Sequence, residues 1–285
     1  MNNYIIITPV FNEESYISTT LESVVNQTFI PYLWVIVDDG STDKSTEIIS
    51  EYSNRYSWIK LVVNKQKNKR SVGAKVVNAF YIGYDLVKNL EFTFIVKLDA
   101  DLTLPSNYFE KINNAYNEDS TIGMAAGYCI INKKGKWVSE GKSDYHIRGP
   151  IKSYRKECFV EIGGIKRILG WDGLDNMEAL YKGWRIKVLD IKVKHHRIMG
   201  KESSVFLANR HGKAYYQRGF SLFHALIRSF SILINEKKPI KSFLFLISFI
   251  VASLKREPKV VDKSMQRFTR KIQNKRIFNY KIYKE

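Results

Sequence analysis

The chain has 285 residues, 45% of them hydrophobic and 13% aromatic, which excludes a disordered composition and allows one large domain, or one domain with an appendage. Its 46 Lys and Arg against 28 Asp and Glu give a net charge of +18, so polyanions are natural partners: nucleic acid, anionic lipid or a phosphorylated substrate. Two cysteines, Cys129 and Cys158, have no paired spacing, which argues against a disulfide framework or thiolate metal site and fits a reducing compartment.

The opening MNNYIIITPVFNEE turns acidic too soon for a signal peptide and reads as a first strand over 4–8. Runs rich in Ile, Val, Phe and Trp at 34–37, 59–63 and 92–98 read as further strands. Helical patterns lie between them at 15–27, 45–56 and about 72–88. Asn12 is the expected N-cap of the first helix, with Glu13 and Glu14 in its first turn. This β-α-β-α order predicts a parallel sheet covered on both faces, with ligands bound beyond the carboxyl ends of the strands. Asn12–Glu13, Asp38–Asp39 and Asp99–Asp101 stand at those ends and are expected to meet in one crevice.

From 122 the pattern is mixed: a strand at 123–131, a basic turn at 132–136, then a loop-rich span to Gly164. A helix is expected over 175–182, stopped by Gly183, then a strand from Arg185. No internal repeat is visible. In 221–235, Ser221, His224, Arg228, Ser231 and Asn235 make a narrow polar stripe on an otherwise apolar helix. FLFLISFIVASL at 243–254 is strongly apolar, yet short of the roughly 18–20 residues that span a bilayer. From Lys259 to Lys284 nine Lys or Arg face a single acid, Asp262.

Three constellations carry chemistry. Asp99 and Asp101, two apart at the mouth of the strand in FTFIVKLDADLTLP, can share a hard divalent cation with phosphate oxygens; the same spacing also serves ordinary surface turns. Asp38 and Asp39 in VIVDDGSTD suit recognition of a base or ribose through imide N–H and hydroxyl donors. They equally suit a turn whose Thr42 or Asp43 caps the next helix. Asp172, beside Trp171 in GWDGLDN, is placed on a loop and can take a proton from a hydroxyl. A helix N-cap is the plainer use of that segment, and Asp175 fills it better than Asp172. His195 and His196 are metal ligands or structural side chains.

In this order, TPVFNEE, VDDGSTD, LDADLTLP and a Gly-Gly followed by WDGLDN resemble the family 2 glycosyltransferases over about residues 3–200. The resemblance implies a GT-A fold, an α/β sandwich with a mostly parallel central sheet, and inverting transfer of one sugar from a nucleotide-sugar, UDP preferred. Thr8, Pro9, Phe11, Glu13 and Asp38 match the nucleoside-holding positions, with Asp39 close by. Asp99 and Asp101 match the Asp-x-Asp that binds Mg²⁺ or Mn²⁺, Asp99 also facing the donor, and His196, or His195, is the candidate for a further ligand. Asp172 matches the catalytic Asp of a Glu-Asp motif in which Trp171 replaces the usual Glu. Lys75 and Arg70 add positive charge near the diphosphate, or belong to a solvated basic loop.

The Gln-x-x-Arg-Trp motif of processive synthases and their transmembrane helices are missing, which points to single-sugar addition. The expected division is a catalytic domain at 1–212 and an amphipathic, basic helical appendage at 213–285. That appendage is expected to lie peripherally on the anionic cytoplasmic face of a membrane, near a lipid-linked glycan acceptor; packing on the catalytic domain or a homodimer interface is its other use. Of the competing functions, a sugar-nucleotide pyrophosphorylase needs a Gly-rich loop that TPVFNEES lacks. A nucleic-acid binder needs a recognition motif, and none is apparent. A nucleotide-sugar binder without transferase activity is disfavoured by the intact acids, and a soluble or protein acceptor is the alternative to a lipid-linked one.

Overall fold

Apolar β-branched runs build the first half of the sheet. A computed structural model describes residues 3–64, 75–141, 143–197 and 205–278. β1 (Tyr4–Val10), α1 (Ile17–Val25), β2 (Leu33–Asp38), α2 (Ser45–Arg55), β3 (Ile59–Val63), α3 (Lys75–Asp85) and β4 (Phe94–Leu98) alternate as expected. β3, β2, β1 and β4 pair in parallel in that spatial order. Side chains alternate between two cores: Tyr4, Ile6, Trp34 and Phe94 pack toward α1 and α4 (Tyr108–Glu118), while Ile5, Ile7, Val35 and Ile95 pack toward α3. Arg70 and the expected start of the third helix at 72 lie outside the described residues, as does the basic tail beyond 278.

Asn12 is not a helix cap. It sits in the left-handed region (φ 55), its Oδ1 accepts the Thr42 N–H at 2.8 Å, and α1 starts only at Ile17. Asn12 therefore ties the two strand-end loops together, with Ser41 Oγ accepting its N–H at 3.0 Å.

The second half corrects the expectation of a mostly parallel sheet. After β5 (Leu102–Thr103) and α4 come β6 (Ile122–Lys133), β7 (Lys136–Ser139), β8 (Ile151–Arg155), α5 (Lys156–Glu161), α6 (Trp171–Tyr181) and β9 (Arg185–His195). β8 inserts antiparallel between β4 and β6, β9 runs parallel to β6, and β5 closes antiparallel on β9, so the nine-stranded sheet of the described residues is mixed. The span expected to be loop-rich thus holds two strands and a helix. α6 begins at Trp171, four residues before the expected start, with Gly170 (φ 79) as its N-cap. The turn-like Gly-Trp-Asp-Gly hides a helix start because its glycines resemble a loop; Gly183 (φ 90) does follow the helix end as expected.

The break expected at 212/213 falls inside α7 (Val205–Gln217), which continues into α8 (Leu222–Asn235), α9 (Pro239–Leu254) and α10 (Lys263–Ile277). Gly212 lets α7 press against α9: a β-carbon there would lie 2.0 Å from the Phe245 carbonyl oxygen. α10 packs Met265 and Ile272 on Leu174 and Met177 of α6, so the helical segment is docked on the sheet domain. Among the described residues no helix is long and apolar enough to cross a membrane.

α8 is inverted relative to a water-facing surface helix. His224 and Ser229 of its polar side are buried, while Leu222, Phe223, Leu226, Phe230, Leu233 and Ile234 are exposed, Phe230 by 63%. α9 continues the same outer face with exposed Ile240, Phe243, Ile247, Ile250 and Leu254.

Candidate active site

Parallel strands deliver the first set of groups to one edge. Phe11 and Glu13 follow β1, Asp39 follows β2 and Asp99 follows β4, the strand order being β2-β1-β4. Thr8 and Asp38 are both fully buried and face the protein. Thr8 Oγ1 accepts Trp34 Nε1 at 2.9 Å, and Asp38 accepts the Ser41 N–H at 2.8 Å on one oxygen and the Thr46 hydroxyl on the other. Thr8 therefore ties β1 to β2 and Asp38 shapes the loop after β2, while Asp39 is half-buried with its Oδ1 on Asn64 Nδ2 at 2.7 Å. Pro9 is half-buried and Phe11 exposed, with Lys75 Nζ 5.6 Å from the Phe11 ring centre.

Thr20 of α1 fixes the acidic loop: its Oγ1 accepts the Leu102 N–H at 3.0 Å and donates to the Ala100 carbonyl at 2.8 Å. Glu13, Asp99 and Asp101 then crowd together. Burial, opposed by Arg197 and reinforced by Asp101 and Asp99, pushes Glu13 up to about 7. Burial also raises Asp99, against the pull of Lys97. Such mutual crowding of acids beside a 28%-exposed Asp99 carboxylate fits a bound cation, and the oxygen-rich donor set suits Mg²⁺ or Mn²⁺.

The two histidines divide their roles. His195 spends both ring nitrogens, Nε2 on Asp101 Oδ2 at 3.4 Å and Nδ1 on Glu140 Oε2 at 3.0 Å. Burial works against its charge, but those two hydrogen bonds raise it to about 9, so it orients Asp101 as a cation. His196 donates its N–H to the Asp101 carbonyl at 3.0 Å, while its Nε2 meets Thr103 Oγ1 at 2.6 Å. Cys129, Glu140 and His195 bring ligand atoms within 4.8 Å of one another, yet burial pushes the Cys129 thiol up to about 12, which makes it a poor ligand. Arg197, absent from the sequence reading, pairs with Glu13 and lies 4.0 Å from Asp101.

Asp172 stands on the other side of Gly149–Pro150. The Pro150 carbonyl accepts the Asp99 N–H at 2.8 Å, and a β-carbon at Gly149 would lie 3.4 Å from the Asp172 Cβ. Asp172 occupies the first turn of α6, not a loop and not a strand end, where the helix dipole favours a carboxylate. Burial would raise it, but Lys152, Arg218 and Lys97 together hold it below the usual carboxylate range. Burial keeps His146 at about 4 and thus neutral.

Asp175 is no cap. It is buried in α6, where Lys152 Nζ reaches its Oδ1 at 2.6 Å and the Tyr154 hydroxyl its Oδ2 at 2.5 Å. Lys152 also bonds the Asp172 carbonyl at 2.6 Å. Trp171, where the family's Glu was expected, has two ammonium groups over its ring: Lys97 at 5.3 Å and Lys152 at 5.4 Å from the ring centre. The signal for this network was Lys97 itself, a charge inside an otherwise apolar strand.

The profile of glycosyl transferase family 2 matches residues 5–166. The chain belongs to that family. It is 31% identical over 201 residues to the uncharacterized glycosyltransferase MG025 of Mycoplasma genitalium, covering 62% of this chain and 64% of that one. It is 32% identical over 135 residues to the poly(ribitol-phosphate) beta-glucosyltransferase of Bacillus spizizenii, covering 46% and 20%. The chain thus spans less than two thirds of the length of these relatives. Its GT-A-like fold is shared with Staphylococcus aureus TarS 1-349 in complex with UDP-GlcNAc, with a TM-score of 0.55 at 19% identity over 89% of this chain and 73% of that one. GalNAc-T7 with UDP, GalNAc and Mn²⁺ gives 0.61 at 16% identity over 92% and 60%.

The Lys152–Asp175 pair is the part of the site most sensitive to loss of one partner. Lys152→Met should strand a buried carboxylate and lower stability by about 3–5 kcal/mol, whereas Lys152→Met with Asp175→Leu should recover much of that loss. Chemical denaturation of the two variants checks this; equal losses would assign the cost to packing.

Proposed function

We propose that this family 2 member is an inverting glycosyltransferase that moves one sugar from a UDP-sugar to a hydroxyl of a lipid-linked glycan acceptor at the cytoplasmic face of a membrane. The observation that carries the reading is Asp172, a carboxylate held ionised across Gly149–Pro150 from the acidic loop of Asp99 and Asp101. An ionised carboxylate on that side accepts the acceptor's hydroxyl proton as the oxygen attacks the anomeric carbon, and inversion follows from attack opposite the leaving diphosphate. Glu13 and Asp39, with Phe11 as an exposed ring, hold the nucleoside, while the buried Thr8 ties β1 to β2, Asp38 shapes the loop after β2 and Pro9 lies in β1 beside Val37. Lys75, over the Phe11 ring, adds charge for the diphosphate.

Asp99, Asp101 and His196 would hold the divalent cation, and His195 with Glu140 would orient Asp101. Bound there, Mg²⁺ or Mn²⁺ supplies charge to the departing diphosphate. UDP in complexes of TarS and GalNAc-T7, and Mn²⁺ in the latter, support the nucleotide and the metal. A role in cell-surface polymers is supported by the names of two relatives, the poly(ribitol-phosphate) beta-glucosyltransferase and the minor teichoic acid biosynthesis protein GgaB of Bacillus subtilis.

The membrane reading rests on the outward apolar face of α8 and α9, flanked by exposed Lys237, Lys238, Lys255 and Arg256. A lipid interface covers such a face, and each Lys or Arg near an anionic surface contributes about 1 kcal/mol.

Three measurements test these roles. Asp172→Asn should slow transfer from the bound UDP-sugar by roughly 10²-fold or more while leaving donor affinity nearly unchanged; poor donor binding with normal saturated turnover would move Asp172 to the donor side. Asp101→Ala should abolish turnover and the metal-dependent part of UDP binding seen by calorimetry, and full activity in excess EDTA would remove the metal. The protein should sediment with phosphatidylglycerol vesicles, less so in high salt, and Phe230→Asp with Phe243→Asp should abolish this without altering UDP binding. A full-length protein left in the supernatant at low salt would end the membrane reading, and a dimer broken by the same two substitutions would give the face to a second copy.

A further inference from the structure

Beside Asp172 lies a half-open cavity of about 410 Å³ lined by α6, α7, α8 and α10, within the size range of small-ligand sites. Three arginines line it, Arg218 from the turn after α7, Arg228 from α8 and Arg276 from α10, with His146 and His224. Asp172 is the one acid among the lining residues. The inward polar stripe of α8 belongs to this wall, since His224, Arg228 and Ser231 all face the cavity.

Two of the three guanidinium groups are held by neutral partners, and the third shares an acid. Arg218 donates Nη1 to the Gly170 carbonyl at 3.1 Å and sits 5.5 Å from the Tyr215 and 5.4 Å from the Phe220 ring centres. Arg276 donates Nη1 to Gln273 Oε1 at 3.1 Å and lies 5.1 Å from the centre of the Tyr145 ring. Neither is in a salt bridge among the described residues; Arg228 shares Glu236 with Lys241 at 3.5 Å. Three like charges around one cavity repel each other, and the arrangement is stabilised once a ligand brings negative charge. Planar guanidinium forks match phosphate oxygens two at a time.

We propose that this cavity binds a phosphate or diphosphate group of the acceptor. The inference rests on Asp172 as the base: the acceptor hydroxyl meets Asp172, and the donor diphosphate belongs to Asp99 and Asp101 across Gly149–Pro150, so an anion on the cavity side is the acceptor's own. In the transfer the acceptor oxygen bonds the anomeric carbon, the bond to the nucleoside diphosphate breaks with its electron pair leaving on that diphosphate, and the hydroxyl proton goes to Asp172. The phosphate held by the arginines is unchanged and fixes the hydroxyl in place.

Calorimetry on the full chain with saturating UDP tests this, because UDP keeps the donor side filled. Inorganic diphosphate and glycerol 3-phosphate should still bind, and Arg228→Gln with Arg276→Gln should weaken both at least tenfold while UDP affinity stays the same, which also certifies the fold. Arg276→Lys should fall between, its charge kept and its fork lost. Farnesyl phosphate at least tenfold tighter than glycerol 3-phosphate would support the proposal with a lipid as the source; equal affinities would support it with a soluble phosphorylated glycan. Diphosphate binding that vanishes with UDP present, that is unchanged in the double variant, or that is matched by glucuronate would overturn it. Should UDP itself not bind, the donor reading fails, and diphosphate titrated alone into wild type and double variant still decides the cavity.

Discussion

The antiparallel joint between β4 and β8 sets Lys97 directly opposite Lys152 in the middle of the sheet. Two buried ammonium groups on facing positions repel, and burial penalises each charge. The fold tolerates them because Asp99 sits against Lys97, Asp175 against Lys152, and the Trp171 ring meets both ammonium groups. The acids come from the end of β4 and the start of α6, so neutralising the lysines requires these elements to meet where the two halves of the sheet join. The same requirement fixes Asp172, whose carbonyl takes the second bond of Lys152. Stability of the joint and position of the candidate base are therefore one constraint.

The helical segment follows a different economy of polarity. α8 turns polar groups toward a charged cavity and apolar groups outward, the reverse of a helix that packs on an apolar core in water. Its stripe of Ser221, His224, Arg228, Ser231 and Asn235 is visible in the sequence, but periodicity alone does not say which side faces the protein. The buried His224, bonded through Nε2 to Asn274 of α10 at 3.0 Å, decides it. A cavity wall and an outer apolar face are thus made by one helix, which puts the proposed phosphate site and the proposed lipid contact back to back.

Much of the first half was legible because parallel strands are local in their signals. Each is a short apolar run ending in acids or a turn, and parallel strands end on the same side, so the placing of Glu13, Asp39 and Asp99 at one edge of the sheet followed from order alone. The second half was not, for reasons particular residues make plain. β8 reads Ile-Lys-Ser-Tyr-Arg, too polar for a central strand until Asp175 and the main chain of α6 supply partners for Lys152. Glu140 and Arg197 act on Asp101 from 39 and 96 positions away, since 140 − 101 = 39 and 197 − 101 = 96, distances at which a sequence carries no pattern. Asp38 and Asp39 are adjacent and chemically alike; only burial separates the acid that holds the turn from its half-buried neighbour.

The field around Asp172 has a mechanistic consequence. Lys152, Arg218 and Lys97 keep the carboxylate ionised, which guarantees the form able to accept a proton but makes it a weak base. Arg218 is one of those cations and also one of the three arginines of the cavity. A phosphate entering the cavity would offset its charge and raise the affinity of Asp172 for a proton. On the proposed acceptor, the base therefore gains strength only when the acceptor is in place. With the cavity empty, a water molecule near Asp172 meets a weaker base than the acceptor hydroxyl does, which favours transfer over hydrolysis of the donor. The replacement of the family's Glu by Trp171 fits this balance: another carboxylate beside Lys97 and Lys152 would cancel part of the field that the acceptor's phosphate is proposed to cancel, and the difference between filled and empty states would shrink.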